Sequence, residues 1–289
     1  MFTFASTPTV VRRLGHNMRI ARVFPTRTSM SPTDADAYFG PPGLFVPAYD
    51  EVHVSVLFTW DIPKAEWLRR EWERVAPVKV GGPAIHGELS EPFTPGLYVN
   101  QGNIITSRGC PNKCSWCFIR NPLVELEICQ GNNILDNNIL ACSDKHIDSL
   151  FVMLRHEKDI KFTGGLEAGR ITDKLAERLR ALRLTRVYLA YDHPSRLSGF
   201  KRAVRILRKH LSREQVSAYV LIGHGDDTFD KAEGRLREAW DIGAMPFAML
   251  YRNHDGAYPH PEKEWRRFQR SWCRPAAIRA TMKSGKAGE

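Results

Sequence analysis

Three cysteines, Cys110, Cys114 and Cys117, follow one another at intervals of four and three residues. They lie in residues 107–118, whose sequence SRGCPNKCSWCF contains glycine, proline and lysine and is typical of a loop. A short loop with this spacing can bring three thiolates around one soft-metal centre. Because three thiolates leave one iron of a four-iron cluster open to a substrate or cofactor, the motif predicts a reaction centre.

Two other interpretations of these cysteines stay open. A structural zinc site needs a fourth ligand, and the remaining cysteines stand singly, at Cys129, Cys142 and Cys273. Three buried or incidental thiols are the other alternative, although buried cysteines belong in apolar segments and not in a loop of this composition. Free thiols in metal-binding spacing also indicate a reducing compartment, so we predict a cytoplasmic protein.

The cysteine segment resembles the cluster loop of the radical S-adenosylmethionine (SAM) superfamily, whose signature has this spacing and an aromatic residue just before the last cysteine. Trp116 occupies that aromatic position. The resemblance implies a [4Fe-4S] cluster on Cys110, Cys114 and Cys117, SAM bound at the open iron, and an external electron donor of the flavodoxin or ferredoxin type. It also implies reductive cleavage of SAM to a 5′-deoxyadenosyl radical, which takes a hydrogen atom from a substrate that the sequence does not identify.

The order RGCPxxCS-aromatic-C is similar to the branch of the superfamily in which the barrel follows a small cobalamin-binding-type domain. Residues 52–60 and 78–80 predict two strands with a helix between them. The cobalamin-ligand motif Asp-x-His-x-x-Gly is missing, because Asp50 and His53 have the wrong spacing. We therefore expect a small β-α-β module over residues 41–95 that does not bind cobalamin.

Strand-like and helix-like segments alternate from residue 96 to residue 255, in periods of about 30 residues. The predicted strands cover residues 104–107, 134–141, 160–163, 187–190, 216–222 and 247–251. The helices between them are predicted to begin after the capping residues Ser143, Thr172 and Asp227, and the last one to end at Gly243. This alternation predicts an α/β fold with a parallel sheet. Together with the resemblance, it predicts a partial (βα)6 barrel of the radical SAM type.

Ligands of parallel α/β sheets bind at the carboxyl ends of the strands, so the polar residues after each strand form the candidate site. The predicted cofactor-binding residues are Trp116 in the cysteine loop and, after successive strands, Asp136, Asn137, Asn138, Gly164, Gly165, Glu167, Asp192 and Gly223. By resemblance, residues 136–138 hold the amino group of SAM. The Glu167 carboxylate can hydrogen-bond that group or a ribose hydroxyl. Gly223 belongs to a partial match to the adenine-contacting pattern of the superfamily. Ordinary turn formation is the alternative for these Asn, Asp and Gly residues.

Both ends of the chain are basic, and the net charge of +10 favours an anionic partner. Residues 1–40 are predicted to form a disordered arm, since no acidic residue precedes Asp34. A transit peptide, or an extension ahead of a start at Met30, would have the same composition. No apolar run reaches the roughly 18 residues of a membrane span, so we expect no membrane association.

Residues 256–289 are predicted to form a helix followed by a frayed tail. Trp265, Phe268 and Trp272 share one face of this helix, with arginines between them. Most such stripes cover a core, but aromatic rings interleaved with arginines are also typical of a nucleic-acid groove. A nucleic acid or nucleotide substrate is therefore one hypothesis. A metal-stapled (zinc or iron–sulfur) nucleic-acid-binding module without catalysis is the alternative to an enzyme.

Overall fold

The structure is a computed structural model that describes residues 10–13, 16–85 and 92–284. The chain divides into two compact units, residues 1–103 and residues 104–289. None of the helices in these three ranges is long and apolar enough to cross a membrane.

The elements alternate between strands and helices along most of the chain. The strands are β1 (Val10–Arg13), β2 (His16–Val23), β3 (Ala37–Tyr38), β4 (Glu51–Ser55), β5 (Val78–Gly81), β6 (Asn103–Ile104), β7 (Ser107–Arg108), β8 (Val124–Glu125), β9 (Asn133–Ile134), β10 (Ile160–Leu166), β11 (Leu184–Tyr191), β12 (Val216–Ile222) and β13 (Met245–Leu250). The helices are α1 (Ile62–Trp72), α2 (Asp144–Leu154), α3 (Asp173–Arg180), α4 (Leu197–Arg208), α5 (Phe229–Ile242), α6 (Glu262–Ser271) and α7 (Pro275–Ser284).

The first unit is built on a five-stranded sheet. Strands β1, β2, β4 and β5 are neighbours in that order, and β3 also pairs with β2. The β2–β4 and β4–β5 pairs are parallel, so β4, α1 and β5 have the β-α-β connectivity that the sequence predicts. Helix α1 packs on the sheet through Leu68 and Trp72, which are buried in one cluster with Val52 and Val54.

The prediction of a disordered arm is wrong for residues 10–13 and from residue 16 onward, because β1 and β2 are strands of this sheet. Arg22 on β2 is completely buried and donates a hydrogen bond to the carbonyl oxygen of Leu97 at 3.0 Å. Its guanidinium also pairs with Asp34. The arginine therefore serves as a buried, paired ion, a role that composition alone does not reveal. Residues 1–9, 14 and 15 lie outside the described residues, and the transit-peptide hypothesis stays untested.

The second unit contains a six-stranded parallel sheet in the order β13-β12-β11-β10-β9-β6, which confirms the α/β class. The strand side chains alternate between two faces, as the period of two requires. On one face Val187, Leu189 and Tyr191 of β11 are buried. The Tyr191 ring stacks on Phe200 of α4, with ring centroids 4.8 Å apart, so this is the helix-covered face.

One predicted strand is much shorter in the structure than in the sequence analysis. Residues 134–141 were expected to be extended throughout, but only Asn133–Ile134 pairs, and Ile139–Ala141 forms a 3-10 turn. The polar residues 136–138 explain the difference. Their side chains hydrogen-bond to other segments and do not extend a ladder.

The predicted helix ends are mostly correct. The hydroxyls of Ser143 and Thr172 accept hydrogen bonds from the first turns of α2 and α3, and Gly243 ends α5 with a φ of 111°. The cap of α5 is Thr228, whereas the sequence predicts Asp227. The predicted frayed tail is also wrong in part, because α7 covers Pro275–Ser284.

Candidate active site at the strand ends

The three cysteines lie on a loop whose two ends are held together. Strands β7 and β8 pair antiparallel on either side of it, and the Cys110 amide donates to the carbonyl oxygen of Asn121 at 3.1 Å. Gly109 begins the loop with a φ of 80°. A Cβ there would lie 1.9 Å from the carbonyl oxygen of Pro122, so only glycine fits. The loop is thus closed at its base by the paired strands β7 and β8.

Asp136 fastens the stem of this loop to the end of β9. Its carboxylate accepts hydrogen bonds from the Thr106 amide at 2.7 Å, the Thr106 hydroxyl at 2.6 Å and the Ser107 hydroxyl at 2.7 Å. The residue is 1% exposed. Burial raises the pKa of Asp136, against the effect of these hydrogen bonds. Because all three bonds go to the stem, Asp136 positions the loop, and its predicted contact with a cofactor stays a prediction.

The next two residues reach the cysteine loop itself. The side-chain oxygen of Asn137 accepts from the Gly109 amide at 3.0 Å. The Asn138 side-chain nitrogen lies 3.5 Å from Cys110 Sγ and 2.7 Å from Glu167 Oε2, and donates to both. Asn138 Oδ1 is buried and has no hydrogen-bond partner among the residues that the structure describes. A buried acceptor without a donor beside a thiol is unusual, and it fits a ligand that carries an N–H or O–H group.

Glu167 stands at the end of β10, where the strand bulges. The five residues of β10 from Phe162 to Leu166 there oppose only three of β11, from Val187 to Leu189. Burial acts to raise the pKa of Glu167, but hydrogen bonds from Asn138, Asn112 and Arg170 outweigh it, so the pKa is lowered. Glu167 is therefore an ionised acceptor at the strand end.

The bulge explains the two glycines that precede Glu167. A Cβ on Gly164 would lie 2.3 Å from the carbonyl oxygen of Asp136, so backbone packing requires glycine there. Gly165 has a φ of 91°, in the left-handed region that favours glycine. Both positions are accounted for by the strand itself, and neither needs a ligand to explain it.

Trp116 joins the cysteine loop to the end of β11. Its indole nitrogen donates to Asp192 Oδ2 at 3.3 Å, and its ring stacks on His193 with centroids 5.5 Å apart. Burial raises the pKa of Asp192, against the hydrogen bond from Trp116. The ring of His224, which follows β12, lies edge-on to two rings. Its centroid is 6.4 Å from that of the Trp116 indole and 4.5 Å from that of Tyr251. Phe118 of the loop lies 6.2 Å from the Tyr251 ring, so the loop contacts residues that follow three consecutive strands, β11, β12 and β13.

Gly223 is explained by its own surroundings. Its amide donates to Asp227 Oδ2 at 2.8 Å, and Asp227 pairs with Arg235 of α5 at 2.6 Å. A Cβ on Gly223 would lie 2.9 Å from Leu250 Cδ1. The structure thus gives this glycine a packing role at the end of β12. Its predicted contact with adenine stays a prediction.

The six cysteines are all free, and Cys110, Cys114 and Cys117 are partly exposed. Burial, followed by the nearby Cys117 thiol, raises the pKa of Cys114. Within residues 10–13, 16–85 and 92–284, no three His, Cys, Asp or Glu side chains are arranged as a ready-made metal site. The structure therefore does not confirm a cluster.

The chemistry of these residues, though not their placement, suits a group of the predicted kind. Three free thiols share one closed loop. Cys110 Sγ already accepts hydrogen bonds from the Asn112 amide at 3.4 Å and from Asn138, and bonds of this type tune metal-bound thiolates. The Asn138 side-chain amide that donates to Cys110 Sγ also carries the oxygen without a hydrogen-bond partner.

The aromatic stripe near the carboxyl terminus does not form stacking platforms. Trp265 is 3% exposed and Trp272 is 1% exposed, so neither ring can receive an unstacked base. Trp265 packs against Phe229 of α5 with ring centroids 4.6 Å apart. The stripe covers a core, which was the alternative interpretation, and the nucleic-acid hypothesis loses its most specific support.

Sequence reasoning missed several residues that shape this site. Asn112 and Arg170 both bond to Glu167, and the spacing of Arg170 three residues after Glu167 was the available signal. Thr106 had no signal of its own, because its partner Asp136 is 30 residues away.

The chain matches no protein-family model and no curated protein sequence.

Proposed function

We propose that this protein is a radical SAM enzyme with a [4Fe-4S] cluster held by Cys110, Cys114 and Cys117. One observation carries the proposal. A closed loop with cysteines in CxxxCxxC spacing is fastened to the carboxyl ends of consecutive parallel strands, where ligands of α/β sheets bind. The barrel form of the sheet belongs to the same proposal.

When bound, such a cluster supplies the electron for reductive cleavage of SAM, and the resulting 5′-deoxyadenosyl radical abstracts hydrogen from the substrate. The chain's own residues position the loop and shield it. Asp136 and Asn137 fix the start of the loop, and Trp116 closes it over β11 by bonding to Asp192. The rings of Trp116 and His193 stack on that side of the loop, and Tyr251 lies beside the loop residue Phe118.

Asn138 and Glu167 are the residues that we assign to the amino group of SAM. Asn138 Oδ1 is a buried acceptor without a donor, and the lowered pKa of Glu167 keeps its carboxylate ionised. An ammonium group between them would donate one hydrogen bond to the neutral Asn138 oxygen and one to the charged Glu167 carboxylate. The site would thus select the protonated amine.

We predict that Asn138→Ala weakens SAM binding at least about tenfold, since a hydrogen bond to a charged group contributes about 1.5–3 kcal/mol. Equilibrium dialysis with labelled SAM on anaerobically reconstituted protein measures the affinity, and iron analysis is run on the same samples. Asn132→Ala is the matched control, because the Asn132 amide bonds to the Lys158 carbonyl away from the loop. Equal SAM affinity in wild type and Asn138→Ala would remove Asn138 from the site.

The partners follow from the proposed chemistry. Reduction of the cluster needs an external electron donor of the flavodoxin or ferredoxin type. A nucleic acid substrate stays a hypothesis that rests on the net charge of +10 alone. The alternative of a metal-stapled nucleic-acid-binding module rests on the same net charge and the same three cysteines, and the parallel sheet beside the cysteine loop favours the enzyme.

A further inference from the structure

One face of the six-stranded sheet is left partly open on three neighbouring strands. On β11, the side chains between the buried ones belong to Arg186, Tyr188 and Ala190, and all three are half-buried. The same alternation continues to Asp192, which bonds to Trp116 of the cysteine loop. Parallel sheets are normally covered on both faces, so an open face that leads to the candidate site is a surface for a ligand.

This face carries a compact aromatic cluster, which we call the tyrosine platform and define as Tyr188, Tyr219 and Phe247. The two tyrosine rings stack at 4.3 Å with an interplanar angle of 10°. Phe247 stands edge-on to both, at 6.3 Å from Tyr188 and 5.8 Å from Tyr219. The Tyr219 hydroxyl donates to the carbonyl oxygen of Thr163 at 3.0 Å, which fixes the ring across β11.

Gly165 leaves space beside the platform. A Cβ at this position would lie 3.7 Å from the Tyr219 ring, in van der Waals contact, but glycine has no such atom. Stacked rings that are already fixed lose little entropy when a third ring joins them. The platform is therefore suited to a planar ring.

Two cations lie below the platform on the same face. Lys161 of β10 and Arg186 of β11 are direct partners in the strand register. Arg186 Nε is buried without a hydrogen-bond partner, and neither side chain forms an ion pair with the acidic residues that the structure describes. Arg186 is close enough to the platform to lower the pKa of Tyr219, although burial raises that pKa overall. An unpaired, partly buried guanidinium favours an anionic group on a ligand.

We infer that the tyrosine platform with Lys161 and Arg186 binds a planar heterocycle carrying one anionic group, a phosphate or a carboxylate. Tyr188 lies four residues below Asp192, or about 13 Å along the strand. A ring bound to the platform therefore lies on the same face of β11 as Asp192, which contacts the cysteine loop. As an assignment of substrate class, this inference rests on the proposed function. As a binding site, it does not need the cluster.

Flavin fluorescence tests the inference, because stacking on tyrosine quenches the isoalloxazine ring. Flavin mononucleotide supplies the phosphate, 10-carboxymethylflavin the carboxylate, and riboflavin is the uncharged control; each is titrated with the full-length protein. We expect the two anionic flavins to bind at least about tenfold more tightly than riboflavin. A preference for one of them identifies the anion.

Variants separate the two parts of the site. Arg186→Gln should remove the advantage of the anionic flavins and leave riboflavin unchanged, whereas Arg180→Gln on α3 should change neither. Tyr188→Leu should weaken all three flavins, and Tyr188→Phe should preserve them because it keeps the stacked ring. Equal binding of charged and neutral flavins, or no quenching in folded wild type and Tyr188→Phe, would overturn the inference.

A further variant distinguishes this site from the proposed function. Flavin binding in Cys110→Ala should equal that of wild type, because the platform does not include the cysteine loop. Loss of flavin binding in Cys110→Ala would contradict the separate site. If iron is absent from wild type while the anionic flavins still bind, the platform stands and only the radical chemistry fails.

Discussion

Replacement of Cys110, Cys114 or Cys117 by alanine is expected to abolish the iron–sulfur cluster in each case. A cubane held by three thiolates has no spare protein ligand, so the loss of one thiolate removes a third of the attachment. Anaerobically purified wild type should contain about four irons and four sulfides per chain, and each variant should contain almost none. Iron and acid-labile sulfide assays, with the visible absorption spectrum, measure the difference.

The other three cysteines supply the controls. Cys129→Ala, Cys142→Ala and Cys273→Ala should keep the iron and sulfide of wild type. Cys142 is buried, and Cys273 Sγ lies 3.5 Å from the carbonyl oxygen of Ala248. Loss of iron in Cys129→Ala would show that a fourth cysteine is a ligand and that the three-thiolate assignment is wrong.

Asp136→Ala is expected to have the largest effect on stability among substitutions near the site. It leaves the Thr106 amide, the Thr106 hydroxyl and the Ser107 hydroxyl without their acceptor in a buried position. At about 1–3 kcal/mol for each unsatisfied donor, we expect the free energy of unfolding to fall by about 3 kcal/mol. Urea unfolding followed by circular dichroism measures this change.

Asp136→Asn is the matched comparison, because the amide has the same shape and can still form hydrogen bonds with both hydroxyls. The pH dependence of stability should differ between it and wild type. Burial raises the folded pKa of Asp136 above its usual 3.8, so folding favours the protonated acid. Wild type should therefore lose stability as pH rises from 3.8 through the folded pKa, and Asp136→Asn should lose less. Identical pH profiles, or a mild effect of Asp136→Ala, would show that the carboxylate does not hold the stem.

The sequence predicts the second unit's fold well because its signals are local. Strand β12 has the predicted bounds, and the caps Ser143 and Thr172 and the terminator Gly243 were recognisable from residue type and neighbouring periodicity. The arm was mispredicted because the partner of Arg22 is a tertiary contact. A composition rich in arginine looks the same whether its charges are solvated or buried in pairs.

The candidate site, too, could be predicted only in part from the sequence. Position at a strand end predicted which residues would surround the cysteine loop, and Trp116, Asn137 and Asn138 do contact or form part of it. Their individual tasks could not be predicted, because they depend on which atom each side chain reaches across about 30 residues of sequence. The Asp136 carboxylate hydrogen-bonds to the stem of the loop, while Asn138 keeps an oxygen without a hydrogen-bond partner.

The aromatic residues illustrate the limit most clearly. Trp265 and Trp272 looked like an exposed stripe between arginines, yet both are buried. Tyr188 and Tyr219 gave no signal, because they lie 31 residues apart on neighbouring strands and only the register brings their rings together. Helical spacing reveals which residues share a face, but burial and cross-strand stacking are properties of the assembled sheet.

The most direct test of the central claim is the fate of SAM on the reconstituted wild-type protein under reducing, anaerobic conditions. With dithionite, we predict that 5′-deoxyadenosine and methionine appear in equal amounts, slowly and without added substrate, and that neither appears when dithionite is omitted. Recovery of all the SAM intact, from protein that holds stoichiometric zinc and no sulfide, would contradict the account.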